Sequence, residues 1–324
     1  MRKTRIMVAA ALAVGLGATT ALATGGGAEI HRNHWSFGGL FGRYDKAQLQ
    51  RGYKIYKEVC AACHSMTRIA FRNLTEPGGP EFPEEVLKAY VAENYEVDQP
   101  PNDAGEVVKG PAKLSDRFPP LYPNERAARA AQNGALPPDL SVIAKARGVS
   151  YHGPWYLHPF AMAKDIATGY QEGGADYLVA LLTGYGQPPA YVRDAQGHLQ
   201  PAGPNPGPNA MRCASIIRGE KGKPDECVTL AEGMSYNAAF PGHQIAMVNP
   251  FEGHTPADPR VAYEDGTKPT LEQYAKDVAA FLSWASDPTL NQRKQLGWLG
   301  MIYLLVTAVL LYIAKRRIWS NVPH

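Results

Sequence analysis

Between Gln295 and Ala314 the chain carries no charged residue, and Leu, Val, Ile and Tyr dominate the stretch. A bilayer core offers no water to backbone amides, so a segment like this crosses it only as a helix. About 20 apolar residues suffice for the crossing. Arg293 and Lys294 stand before the stretch, and Lys315-Arg316-Arg317 follow it. Trp298, Tyr303, Tyr312 and Trp319 lie towards the two ends, where aromatic rings favour the membrane interface. A buried helix of a soluble core would not be flanked by charge on both sides. The remainder must then fold as a globular domain on one anchor. A formal net charge of +3 and 45% hydrophobic residues agree with that, and point neither to a multi-span protein nor to a nucleic-acid partner.

The opposite end reads as an address. Met1-Arg2-Lys3-Thr4-Arg5 is basic, an apolar run from Ile6 to Ala18 follows, and Ala21-Leu22-Ala23 places small residues where a signal peptidase reads. The run is short for a bilayer span, and it lacks the amphipathic, Arg- and Ser-rich character of a mitochondrial presequence. The expected division is a signal peptide at 1–23, a periplasmic domain at 24–288, a transmembrane helix at 289–314 and a cytoplasmic tail at 315–324. The charge asymmetry around the span is small, so the orientation rests mainly on the signal. The expected location is a bacterial inner membrane, crossed once.

Inside the exported part lies Cys60-Ala61-Ala62-Cys63-His64. Two thiols three positions apart with a histidine directly after form the attachment pattern of a c-type haem. Each sulfur adds to one vinyl group, and the histidine is held beneath the iron. A CxxC alone could be a redox dithiol or half of a zinc site. The adjoining histidine, in a chain with no second CxxC, favours one covalently bound haem c.

The exported domain reads as mainly α, with long irregular loops. Asp45 can cap a helix from Lys46 into the cysteine motif, with Leu49, Tyr53 and Tyr56 on one apolar face. Helices are expected at Glu125–Asn133, Leu140–Arg147 and Ala175–Thr183, each meeting a glycine. Thr270-Leu271-Glu272-Gln273 is a capping box opening a helix that ends near Pro288. No alternating strand pattern and no internal repeat stand out. Cys213 and Cys227 remain once the haem has used Cys60 and Cys63. In an oxidising compartment this pair is expected to form a disulfide that orders the loop after the Pro/Gly-rich run 201–208.

An iron with one histidine needs a sixth ligand or an open position. The candidates are Met66, Met162, Met211, Met234, Met247, His31, His34, His152, His158, His198, His243 and His254. Met66 is too close to His64 in sequence to reach the other face. Met247 stands out for its setting, in the Gly- and Pro-bounded loop from Pro241 to Pro250, which can approach a flat ring closely.

Five separated segments resemble the cytochrome c1 family, the haem-c subunits of cytochrome bc1 complexes. They are Arg51–Met66, Asn133–Ser141, Asp176–Tyr185, the loop ending in Met247, and the helix Ala275–Ala285 with the C-terminal anchor behind it. The resemblance runs from about Trp35 to Trp319 and implies a class I cytochrome c-like domain. It implies Met247 as the ligand opposite His64, and Arg147 and Tyr177 as partners of a haem propionate. It also implies cytochrome b and a Rieske iron–sulfur protein as neighbours, a soluble c-type cytochrome as acceptor, and a dimeric complex in contact with membrane lipid. The segments 149–170 and 188–229 are longer than in the mitochondrial members. The other reading of a membrane-anchored c-type cytochrome is a subunit of a terminal oxidase or a nitrogen-oxide reductase. The acidic run Glu76–Glu106, with Lys88 among many carboxylates, is a candidate surface for a basic partner, or a solvated loop.

Overall fold

The computed structural model describes residues 30–149, 153–168, 173–219, 223–255 and 259–320. The expected signal peptide at 1–23, the candidate ligand His152 and the end of the expected tail lie outside these residues.

Helix α1 spans Lys46–Glu58, and the Asp45 carboxylate accepts from the Gln48 N–H at 2.7 Å to cap it. Its apolar face buries Leu49, Ile55 and Tyr56. The partner is a helix near the other end of the chain, Leu271–Ser286, opened by Thr270 accepting from the Gln273 N–H at 3.2 Å. Gly52 makes this crossing close: a Cβ there would collide with the Asp277 carbonyl and the Phe281 side chain. Phe281 stacks its edge against Tyr53 and lies beside Tyr56 and Trp284, with ring centroids 5.5 to 6.0 Å apart. Burial of such rings is the main source of stability here. The Asp277 carboxylate is fully buried in the same interface, and it accepts from Arg51 at 2.8 Å, Tyr263 at 2.8 Å and Gln273 at 2.8 Å. A buried charge is tolerable only with such partners.

Numbered along the chain, the remaining helices are α2 Glu84–Asn94, α3 Glu125–Ala131, α4 Ile143–Ala146, α5 His158–Thr168 and α6 Gly174–Thr183. The helix Leu271–Ser286 is α7, and Leu290–Trp319 is α8. Helices α4 and α6 pack on α7, so the core is built from α1, α4, α6 and α7. Gly174 opens α6 where a Cβ would strike the backbone carbonyls of Ala144 and Arg147. The structure is mainly helical, as the sequence indicated.

Three features depart from the sequence reading. Helix α2 occupies the middle of the acidic run. Glu84 and Glu85 sit in its first turn, where negative charge suits the helix dipole, and Leu87 and Val91 turn inward one turn apart. Helix α5 also lies where no helix was expected. Among the described residues there are nine strands, the longest of four residues, all paired antiparallel. Strands of two to four residues are too short to display alternation.

Helix α8 is 30 residues long and almost wholly exposed outside its first residue. At 1.5 Å per residue it reaches about 45 Å, enough for a single-pass membrane anchor. The helix continues through Lys315-Arg316-Arg317 to Trp319, beyond the apolar stretch. Near its start, the Lys294 ammonium donates to the carbonyls of Phe37 at 2.7 Å, Gly39 at 2.6 Å and Gly42 at 3.3 Å.

Candidate functional site

Helix α1 ends at Glu58, and the chain tightens into a 3₁₀ turn over Cys60–Ala62. The N–H groups of Cys63 and His64 both donate to the Cys60 carbonyl, at 3.1 and 2.9 Å. The turn holds both thiols and the imidazole within one short loop at the end of a buried helix. Cys60 and Cys63 are half-buried and take no part in a disulfide. Burial and the neighbouring Cys63 push the Cys60 thiol up to about 12. Among the described residues no group of three or more His, Cys, Asp and Glu side chains could hold a metal ion.

The imidazole of His64 is oriented by one contact. Its Nδ1 lies 2.8 Å from the Pro138 carbonyl. A carbonyl only accepts, so Nδ1 carries the hydrogen and Nε2 keeps its lone pair. Desolvation lowers the pKa of this ring, against the opposing pull of the Pro138 carbonyl and Asp139, which favours the neutral ligand form. The carbonyl is itself fixed. Leu140 N–H donates to the Ser65 carbonyl at 2.9 Å, and Asp139 accepts from the Thr67 N–H at 2.9 Å and hydroxyl at 2.7 Å. Burial tends to raise the Asp139 carboxyl, yet its hydrogen bonds from Ser141 and Thr67 outweigh this and hold it low. Gln132, at the end of α3, points its amide at Cys63 Sγ from 3.6 Å and donates to the Tyr122 hydroxyl at 2.8 Å.

Met247 stands on a different support. It is half-buried in the loop after a small hairpin, β8 Ser235–Tyr236 paired with β9 Gln244–Ile245. Gly242 takes a φ of 77° and His243 a φ of 58° at the hairpin turn. The Met247 carbonyl accepts from the Tyr185 hydroxyl at 3.1 Å. The hairpin hangs from the end of α6 through Asn237, which is fully buried. Asn237 donates to the Leu181 carbonyl at 2.7 Å and accepts from the N–H groups of Ala239 and Phe240 at 3.0 and 3.2 Å.

Arg147 and Tyr177 are brought near each other. Arg147 follows α4 and is exposed, and Tyr177 is buried on α6. Burial raises the Tyr177 phenol while the positive Arg147 opposes the rise. Burial also raises Tyr185, with Tyr177 as the second contributor, so Arg147, Tyr177, Tyr185 and Met247 form a connected series. The turn Leu140–Val142 runs directly into α4. One continuous piece of chain therefore backs both His64 and Arg147.

The other candidate ligands have other surroundings. Met66 is fully buried in the core, and Met162 is 53% exposed on α5. His198 lies 3.4 Å from Asp225, His243 Nδ1 donates to the Asn237 carbonyl at 3.3 Å, and the His254 ring packs on Tyr274. Cys213 and Cys227 have their sulfurs 2.06 Å apart, at disulfide distance. Residue reasoning gave no role to Pro138, Gln132, Tyr185 or Asn237. Pro138 and Tyr185 stood inside family-like segments, and nothing in the sequence marked Gln132 or Asn237.

The residues fit a haem. Two thiols stand in one turn beside an imidazole whose free Nε2 is fixed by a backbone carbonyl, and a thioether is carried on a loop tied to the same helical frame. A helical domain with this site, carried on one long apolar helix, defines a membrane-anchored c-type cytochrome. The comparison with known proteins narrows the class: the model of the Cytochrome C1 family matches residues 35–322, and the chain belongs to that family. It is 39% identical to "Cytochrome c1" of Blastochloris viridis, over 99% of this chain and 97% of that protein. It is 36% identical to "Cytochrome c1" of Rhodospirillum rubrum, over 99% of this chain and 98% of that protein. A longer relative, "Cytochrome b/c1" of Bradyrhizobium diazoefficiens, is 40% identical over 89% of this chain, which spans 35% of it. The family is that of a c-type cytochrome subunit of the cytochrome bc1 complex and implies a haem c cofactor.

Proposed function

We propose that the chain is an electron relay. Cys60 and Cys63 would hold one haem covalently, His64 and Met247 would ligate its iron, and Arg147 and Tyr177 would hold a propionate. When bound, the haem supplies a one-electron iron couple. The Pro138 carbonyl keeps His64 in the ligating tautomer and strengthens it as a donor. A methionine opposite histidine raises the reduction potential, which suits a carrier late in a chain. Electrons arrive from a Rieske iron–sulfur protein and leave for a soluble c-type cytochrome. The contact that carries this reading is His64 Nδ1 to the Pro138 carbonyl at 2.8 Å.

The same proposal includes a signal peptide cleaved after Ala23, a periplasmic haem domain and a cytoplasmic C-terminus. It includes a Cys213–Cys227 disulfide suited to that compartment, and cytochrome b as a partner in a dimeric complex. The printed name of the Bradyrhizobium relative, which joins b and c1, supports that partner. Family membership favours this assembly over an oxidase or nitrogen-oxide reductase. For the soluble acceptor, the exposed carboxylates of α2 and of β1, Glu96–Asp98, offer negative charge that would steer a basic protein. A steep fall of the electron-transfer rate with salt is expected, and a flat profile removes that surface.

The decisive experiment has two arms. Solubilised membranes should yield a particle containing this chain, a b-type cytochrome and an iron–sulfur protein. Met247→Leu should lower the midpoint potential by about 120 mV or more, a hundredfold shift in the one-electron equilibrium, and let carbon monoxide bind. An unchanged potential and no carbon monoxide binding would show the ligand to be another residue.

A further inference from the structure

Helix α5 and the turn before it expose a run of large apolar side chains. Trp155 is 76% exposed, Tyr156 59%, Phe160 71% and Met162 53%. The rings of Trp155 and Tyr156 meet edge to face, with centroids 6.2 Å apart. Soluble surfaces rarely leave so many large apolar groups together without a partner.

The position of this run identifies the partner. Lys164 of α5 borders a cavity of about 800 Å³ together with Gly38, Gly39, Lys145, Ser286 and Arg293. Ser286 and Arg293 flank the joint where α7 gives way to the anchor, and Lys294 clamps the 37–42 loop at the same place. Asp165 of α5 pairs with Arg32 at 3.2 Å, on the wall of that cavity. Phe160 lies one helical turn before Lys164, and so on the same face of α5. The membrane level is marked independently. Phe41, 73% exposed, stacks on Trp298 of the anchor with centroids 4.7 Å apart and the planes 4° from parallel. The exposed run of α5 thus belongs to the end of the domain from which the anchor leaves.

We infer that Trp155, Tyr156 and Phe160 form a second membrane contact, resting in the lipid interface beside the anchor. Tryptophan and tyrosine favour the headgroup level, and the Phe160 ring would sink below it. The contact is continuous with the anchor and rests on the reading of α8 as a span.

Lipid photolabelling tests it. Native membranes carrying the full complex are fused with vesicles of phosphatidylcholine and phosphatidylglycerol that bear a diazirine on the upper acyl chain. After irradiation, trypsin cuts behind Arg147, Lys164, Lys294 and Lys315. Both the 148–164 peptide and the 295–315 peptide should carry lipid. Trp155→Ser with Phe160→Ser should reduce labelling of the first at least fivefold and leave the second unchanged. A labelled anchor with an unlabelled 148–164 peptide overturns the second contact alone. So does capture of that peptide by another protein in a zero-length crosslink. An unlabelled anchor peptide overturns the span and this inference together.

Discussion

His64 stands just after α1, a helix locked against α7 by Phe281 and the Asp277 network. Met247 stands in a loop that hangs from α6 by Asn237 and Tyr185. The first support is part of the core. The second is a set of side-chain hydrogen bonds at the edge of that core. If His64 and Met247 hold the haem as proposed, one ligand would rest on a rigid frame and the other on a replaceable strap. Damage to the frame should disturb both ligands, whereas damage to the strap should disturb one.

The largest expected effect is on the frame. Phe281→Ala should cost about 3–5 kcal/mol, because the ring has almost no exposure and its cavity cannot collapse against α1. Denaturant unfolding followed by far-ultraviolet dichroism reads it, and a loss below about 1 kcal/mol would mean that the α1–α7 contact is not the frame. Next comes the loop closed by Cys213 and Cys227. Cys213→Ser opens a closure with a sequence separation of 14, which the chain-entropy model values at about 3 kcal/mol. Proteolysis within 188–229 should accelerate while the haem midpoint potential stays put. A shift in potential would show that this loop and Met247 are one unit.

Asn237→Ala removes three hydrogen bonds from a buried side chain, a change worth about 1–3 kcal/mol. It should admit carbon monoxide to the haem without altering the helical content. A closed iron in that variant would break the assignment of Asn237 as the suspension point. The smallest effect is a titration. Asp225 accepts from the Leu199 N–H, and, against the burial that opposes it, from Gly219 and Arg218, so its carboxyl is held below the ordinary carboxylate range. The unfolded loop takes up the proton more readily. The stabilisation is complete above about pH 4 and is lost as pH falls further. Amide protection factors in 190–228, corrected for the intrinsic exchange rate, should fall on acidification from pH 5 to pH 3, ahead of those in α7. Simultaneous loosening of both would erase the distinction between loop and frame.

The frame was legible in the sequence because it follows local rules. Asp45 and Thr270 with Gln273 announce helix starts, and the apolar spacing of Leu49, Tyr53 and Tyr56 is a helical face. The CxxCH turn is legible because its chemistry fixes its spacing. The strap was legible only in part. Met247 could be singled out by its loop, yet its supports are side chains bonded to backbone carbonyls, and a carbonyl carries no residue label. Asn237 bonding to Leu181, or Pro138 meeting His64, therefore leaves no trace in residue types. Helix α2 was masked by its charge, since the exposed glutamates outnumber the two buried positions, Leu87 and Val91, that define it.

Lys294 has a further consequence. Its ammonium grips three carbonyls of the 37–42 loop from the root of the anchor, and the nearby Asp287 gathers Arg293 and Lys145 at the same joint. The head is thereby clasped to the root of its stem from two sides, by the 37–42 loop and by α4. Under the relay function proposed above, a head held in this way would leave the travelling to its partners.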